Sequence, residues 1–171
     1  MPETLTPQQI QALTQQLENN PFARLAGIHI QLLERDHAVL EVQLRPELLN
    51  PLGAVHGGLL FTLADCCSGV TARTDGRRYV TQSGSLQYLS NVSRGTVMAE
   101  SRLIRRGRTV CVMDITVKSV EQDLLLAEGI FTMYALHEVK NHWKTTKRPQ
   151  SGMAAAFFPS LRGEKSEMGN V

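Results

Sequence analysis

A chain of 171 residues, 42% hydrophobic and 20% charged, is long enough to bury one sizeable core. Its 18 basic and 16 acidic residues leave a formal net charge of +2, which argues against nucleic acid or an anionic membrane as partner. No run is apolar for long enough to span a bilayer, the opening residues show no charged-then-apolar leader, and Cys66, Cys67 and Cys111 form neither a CxxC pair nor a metal-ligand spacing with histidine. The expectation is a cytoplasmic, reducing setting with no metal.

In chain order, Thr6-Pro7 is a helix start, with Thr6 as N-cap and Pro7 at the first helical position. Ile10, Leu13 and Leu17 then fall on one face, and the pattern stops near Asn19-Asn20-Pro21. Residues 1–21 are thus read as an N-terminal helical region that covers a sheet edge. Gly27 to Leu44 alternates in two runs split by Glu34-Arg35-Asp36, the pattern of a β-hairpin on which His29 and His37 read as structural.

Asn50-Pro51-Leu52-Gly53-Ala54-Val55-His56-Gly57-Gly58 then opens a run that is apolar on nearly every side, as in a buried helix. Gly57 and Gly58 permit close approach to the backbone, and the first N–H groups of a helix lack internal partners. Such groups bind an oxyanion or polarise a carbonyl, assisted by the helix dipole. Asp65 interrupts the apolar run with a carboxylate that is costly to bury uncompensated, which marks it as a candidate for chemistry. Asp65 lies roughly 12 Å along the axis from the Gly57 amide. A reacting carbon must sit about 3 Å from both groups, so the site is expected to be shared between two antiparallel copies of the helix in a homodimer.

After the polar turn Thr74-Asp75-Gly76-Arg77-Arg78, four strand-like runs follow: Tyr79 to Leu89, Gly95 to Ile104, Thr109 to Val120 and Leu124 to Leu136. Short turns between them favour an antiparallel sheet, so the fold class is α+β. The arginines of the turn Arg105-Arg106-Gly107-Arg108 read either as a solvated tip or as phosphate ligands. Residues 139–171 are basic and irregular apart from the apolar Met153 to Phe158, and read as a flexible extension that docks, at most, on a neighbouring subunit.

The N-P-x-G-x-x-H-G-G motif at residues 50–58, followed by an apolar run into Ala64-Asp65, resembles the hotdog-fold acyl-CoA thioesterases, PaaI-like branch. The likeness extends over about Phe22 to Leu136, through Tyr88 to Gly95 and Arg106-Gly107-Arg108-Thr109, and departs at Ser90-Asn91. It implies a hotdog domain over residues 22–138, an antiparallel sheet wrapped around a long central helix with the N-terminal helix preceding. It places the catalytic carboxylate on Asp65, the carbonyl-polarising amide on Gly57, the helix-entry histidine on His56 and the upstream asparagine on Asn50. It also favours Arg105, Arg106 and Arg108 as ligands for the coenzyme A phosphates, and a homodimer or homotetramer.

The expected reaction is hydrolysis of an aryl- or medium-chain acyl-CoA, with Asp65 of the partner as general base or nucleophile. No cofactor is expected, because coenzyme A is part of the substrate. Ser68 is the hydroxyl favoured to bond the Asp65 carboxylate or the water, against the alternative of bonding back to the helix. Phe61, Leu60, Leu86 and Tyr88 suggest an apolar acyl pocket. The other classes to keep are a hotdog enoyl-thioester hydratase or dehydratase and a non-catalytic acyl-CoA-binding protein.

Overall fold

The computed structural model describes residues 4–136. In chain order these form α1 (Pro7–Glu18), α2 (Pro21–Ala26), β1 (His29–Glu34), β2 (His37–Gln43), a 3-10 turn (Pro46–Leu48), α3 (Gly57–Arg73), β3 (Arg78–Tyr88), β4 (Thr96–Arg106), β5 (Val110–Ser119) and β6 (Leu124–Leu136). The extension at 139–171, with its apolar patch, lies outside the described residues.

α1 begins where the Thr-Pro pair placed it. Gln9 N–H donates to Thr6 Oγ1 at 3.3 Å and Thr6 N–H donates to Gln9 Oε1 at 2.8 Å, a reciprocal capping box. Asn20-Pro21 ends α1 as expected, but it also starts a second helix that the sequence reading did not contain. Asn20 Oδ1 accepts from the N–H groups of Phe22 and Ala23, Pro21 fills the first helical position, and Gly27 at φ 77° closes the segment after six residues.

The strands form an antiparallel sheet of order β1-β2-β4-β5-β6-β3. α3 carries the chain from β2 to β3 at the far edge, and β4 then returns to the middle of the sheet. The sheet wraps α3, which packs against β2, β4, β5, β6 and β3, giving the hotdog arrangement. Leu60, Leu63, Ala64 and Cys67 of α3 are buried against Leu40, Val97, Met113, Ile115 and Phe131 of the sheet. β3 lies close on β6 because two positions lack a side chain. A Cβ at Gly84 would meet the Phe131 ring, and one at Gly129 would collide with the Ser85 carbonyl and lie 2.9 Å from Leu86 Cα.

At the C-terminal end of α3 the sheet is tied to the helix by ion pairs, and here Arg106 departs from its expected role as a phosphate ligand. Its guanidinium turns inward and donates to Ala72 O at 2.9 Å, Asp75 Oδ2 at 2.8 Å, the Tyr79 hydroxyl at 2.8 Å and Asp36 Oδ1 at 2.5 Å. That joins the β1–β2 turn, the end of α3, β3 and β4 through one side chain, leaving it 15% exposed. Arg35 Nη1 and Asp36 N–H add bonds to Thr74, each 3.0 Å. His37, as expected a structural residue, bridges Glu34 at 3.2 Å and Glu100 at 2.9 Å.

Burial pushes the Asp75 carboxyl up, but bonds from the Arg77 amide, the Tyr79 hydroxyl and the Arg77 guanidinium, with the Arg106 charge, hold it below its ordinary value. A depressed carboxylate stabilises the fold above its unfolded pKa, and that contribution is lost as the pH falls through the folded value. Urea unfolding of the wild type should therefore lose stability as the pH drops below about 4. Arg106→Ala should cost roughly 3 kcal/mol at neutral pH, because it removes the cation shared by Asp36 and the buried Asp75 and leaves Asp75 with Arg77 alone, and should alter that acid slope. A variant with wild-type stability would remove the clasp from the account.

Candidate active site

The motif at residues 50–58 is first a folding device. Asn50 Oδ1 accepts from the N–H groups of Leu52 at 2.9 Å and Ala54 at 3.1 Å, and Asn50 N–H donates to Ala54 O at 2.7 Å. Gly53 sits at φ 75°, a conformation that glycine reaches without penalty. Leu49 and Val55 pair across the base of the loop, and Val55 N–H donates to Val92 O at 2.7 Å. The Asn50 carbonyl oxygen is thus committed to the loop, while its Nδ2 group has no protein partner among the described residues.

This loop delivers His56 to the N-cap of α3, where its Nδ1 accepts from Gly58 N–H at 2.9 Å. The acceptor nitrogen cannot also carry a proton, so in this arrangement His56 presents Nε2–H outward. Gly58 N–H is used by the cap, whereas Gly57 N–H has no partner among the described residues. The Tyr88 hydroxyl donates to Gly57 O at 3.1 Å, and a Cβ on Gly57 would lie 3.4 Å from the Tyr88 ring. The first free amide of α3 is therefore held in a defined place beside an aromatic wall.

Asp65 lies two turns further along the same helix, half-buried rather than enclosed, in the face that also carries Gly58 and Thr62. Its Oδ1 accepts from the Thr81 hydroxyl at 2.6 Å. That donor comes from β3, and Ser68 does not supply it: Ser68 Oγ donates to Ala64 O at 2.9 Å, the back-bond that satisfies a hydroxyl buried in a helix. Thr81 was invisible to sequence reasoning because the order of the strands decides which one lies beside Asp65. A cavity of about 230 Å³ adjoins Asp65, with Cys66, Arg73 and Thr81 among its walls.

The neighbouring thiols are poor nucleophiles. Burial, with the Asp65 charge, pushes Cys66 up to about 11, and burial raises Cys67 further. Both read as packing residues, and Cys67 lies against Ala38 O and Ala99 O at 3.4 Å. Among the described residues no group of three or more His, Cys, Asp or Glu could hold a metal ion.

At the α3 entrance a second cavity, of about 460 Å³, is walled by Phe22 and Leu25 of α2, Leu48, Leu59 and Thr62, with His56 and Gly58 on one side. Arg45 fixes this wall by donating from Nη1 to Ala26 O at 3.1 Å and from Nη2 to Leu25 O. Leu60 and Leu86, expected in an acyl pocket, are instead core residues, while Phe61 and Tyr88 are partly exposed. Arg105 and Arg108 are exposed at the β4–β5 turn, away from the inward-facing Arg106.

The thioesterase superfamily profile matches residues 52–126. The Saccharolobus solfataricus protein SSO2140, a candidate esterase by name, is 31% identical over 106 residues, 61% of this chain and 75% of that one. Acyl-coenzyme A thioesterase PaaI of Escherichia coli K12 is 27% identical over 106 residues, 61% of this chain and 76% of that one. The structure of the E. coli PaaI protein aligns with a TM-score of 0.73 at 24% identity, over 78% of this chain and 96% of its own, a likeness of fold. A hypothetical thioesterase of Streptococcus pneumoniae TIGR4, crystallised with coenzyme A, is 32% identical with a TM-score of 0.60, over 64% of this chain and 85% of its own.

The cap and the carboxylate can be tested apart. His56→Ala removes an N-cap and should cost about 1 kcal/mol in urea unfolding. Thr81→Val keeps the shape of the strand and removes the hydroxyl on Asp65. It should leave stability within about 0.5 kcal/mol, as for an exposed site, while lowering kcat. An unchanged kcat for Thr81→Val would make that bond incidental.

Proposed function

The chain belongs to the thioesterase superfamily, in its PaaI-like hotdog branch, and on that premise we propose that it hydrolyses an acyl-coenzyme A to the free acid and coenzyme A. The observation that carries the reading is the unpartnered Gly57 N–H at the start of α3, on the same helix as a carboxylate held by Thr81.

In this reading the thioester carbonyl accepts from Gly57 N–H, and negative charge that develops on its oxygen is stabilised by that amide and the helix dipole. The partner's Asp65 takes a proton from water as the oxygen adds to the carbonyl carbon, or attacks that carbon itself to give an anhydride that water then opens. The tetrahedral intermediate collapses with loss of the coenzyme A thiolate. In the base route the thiolate takes back the proton that Asp65 removed from water. In the nucleophile route it leaves unprotonated and takes the proton released when water opens the anhydride. His56 orients the loop and caps the helix. Asn50, through its free amide nitrogen, holds the water or the thioester.

Two features support sharing the site between protomers. Gly57 and Asp65 are eight positions apart on α3, roughly 12 Å, too far for one carbon to touch both. β3, which carries Thr81, is also an edge strand whose outer side lacks a partner among the described residues, and Phe61 on α3 is 37% exposed. A second copy added at β3 would cover both.

The apolar cavity at the α3 entrance suits an aryl or medium-chain acyl group, with its volume in the range of small-molecule sites. Arg105 and Arg108 remain candidates for the coenzyme A phosphates. A reducing, cytoplasmic setting is in keeping with three free thiols.

Thiol release from an acyl-CoA panel tests the reaction. Asp65→Asn should lower kcat by roughly 10²–10⁴ while the protein stays folded. Gly57→Pro deletes the amide donor at a position where proline suits a helix, with His56 already at φ −68°, ψ 130°, and should cost about 10²–10³ in kcat. Mixed dimers of the two variants place one intact amide opposite one intact carboxylate and should regain activity. Inactive mixed dimers would mean that each protomer carries a whole site. Retained coenzyme A binding without thiol release from the wild type would identify a binding protein.

A further inference from the structure

Under α1 lies a cavity of about 560 Å³ that the reaction proposed above does not use. Its polar walls are Gln9, Gln16 and Asn20 from the α1 side and Arg73, Arg77 and Arg78 from the end of α3 and the turn into β3. Among the described residues no carboxylate lines it.

Apart from the Gln16 side-chain amide, which can turn either end toward a ligand, the side-chain acceptors around this space are already committed. Gln9 Oε1 accepts from Thr6 N–H at 2.8 Å, and Asn20 Oδ1 accepts from Phe22 N–H at 3.0 Å, so each amide has only its NH₂ group to offer. The Tyr79 hydroxyl is bonded to Asp75 at 2.8 Å, and the Thr74 hydroxyl donates to Thr71 O at 2.8 Å. Arg77 is tied to Asp75 and to the carbonyls of Gly107 and Arg108. Arg73 and Arg78 make no ion pair among the described residues. What remains is a concave surface rich in N–H donors, with two cations that have no ion-pair partner among the described residues. Its complement is a ligand that is anionic and accepts without donating, and phosphate groups have that character.

From this arginine-rich lining without a carboxylate we infer that the cavity beneath α1 binds the phosphate groups of an organic phosphate. It shares Gln16, Asn20, Arg73 and Tyr79 with the smaller cavity that reaches Asp65 and Thr81, so the two cavities adjoin across common walls. Where the thioesterase reading holds, that adjacency favours the phosphorylated end of coenzyme A as occupant, anchored by the protomer that supplies Asp65. A separate nucleotide would satisfy the same donors.

The test uses the full chain with Asp65→Asn, so that binding is read without turnover, and titrates coenzyme A, ADP and phosphate-free pantetheine by calorimetry. Adding Arg73→Gln and Arg78→Gln together should weaken coenzyme A at least about tenfold, the scale of lost charged hydrogen bonds, and flatten its salt dependence. Pantetheine, without phosphates, should not distinguish the two proteins. Weakening of ADP alone, with the KM for acyl-CoA unmoved in the active-site-intact protein, would keep the phosphate site and assign it to a separate nucleotide. Coenzyme A and ADP affinities both unchanged in a variant that is folded by circular dichroism would overturn the proposal. Absence of thiol release from the wild type would sink the thioesterase reading and leave the binding result standing.

Discussion

The structure depends on one compromise: α3 must be buried deeply enough to hold the sheet, yet its first turn leaves an amide without a partner among the described residues. Leu60, Leu63, Ala64 and Cys67 meet the first demand, because the strands on several sides remove almost all of their surface from water. The second is met at the other end of the same element by the Asn50 loop, which brings His56 to the cap and spends Gly58 N–H on it. That leaves Gly57, backed by the Tyr88 ring, as the donor aimed outward. A helix anchored this firmly by its core face would cost little reorganisation if charge developed at its tip, as the proposed reaction requires.

Much of this was legible in the residues. Thr6-Pro7, the alternation from Gly27 to Leu44 and the turns after Leu89 are local signals, and each led to an element with nearly the expected bounds. The motif from Asn50 to Asp65 carried the fold family because its glycines and its single charge serve needs that few other folds share. α2 was missed for a local reason. Asn-Pro is both a terminator and an initiator, and six residues are too few to show periodicity.

The errors in the site are of another kind. Ser68 sits near Asp65 on the helix and Thr81 is 16 residues away, yet Thr81 makes the bond. Sequence spacing ranks partners along one element and says nothing about which strand lies alongside. That β3 pairs with β6 at the sheet edge, and not with β4, is a long-range outcome, and the identity of the carboxylate's partner follows from it. Arg106 shows the same limit with opposite sign. Three arginines in one turn read as equivalent until alternation on β4 points one of them inward at Asp36 and Asp75, while Arg105 and Arg108 stay in solvent.

These placements explain why the chemistry would sit at an edge of the fold. The C-terminal end of α3 is locked to the sheet by Arg106 between two carboxylates, a joint that opens only by leaving charges unpaired. The α3 entrance and β3 have no comparable lock: Phe61, Tyr88 and Leu89 are partly exposed, and β3 shows solvent along most of its length. An edge strand left open is an invitation to pairing, and most oligomers of this kind close by two-fold symmetry. Two-fold pairing at β3 would set two copies of α3 antiparallel, the one relation that brings the start of each helix toward the middle of the other. The distance between Gly57 and Asp65, an obstacle within one protomer, would then become the spacing that aligns two sites at once.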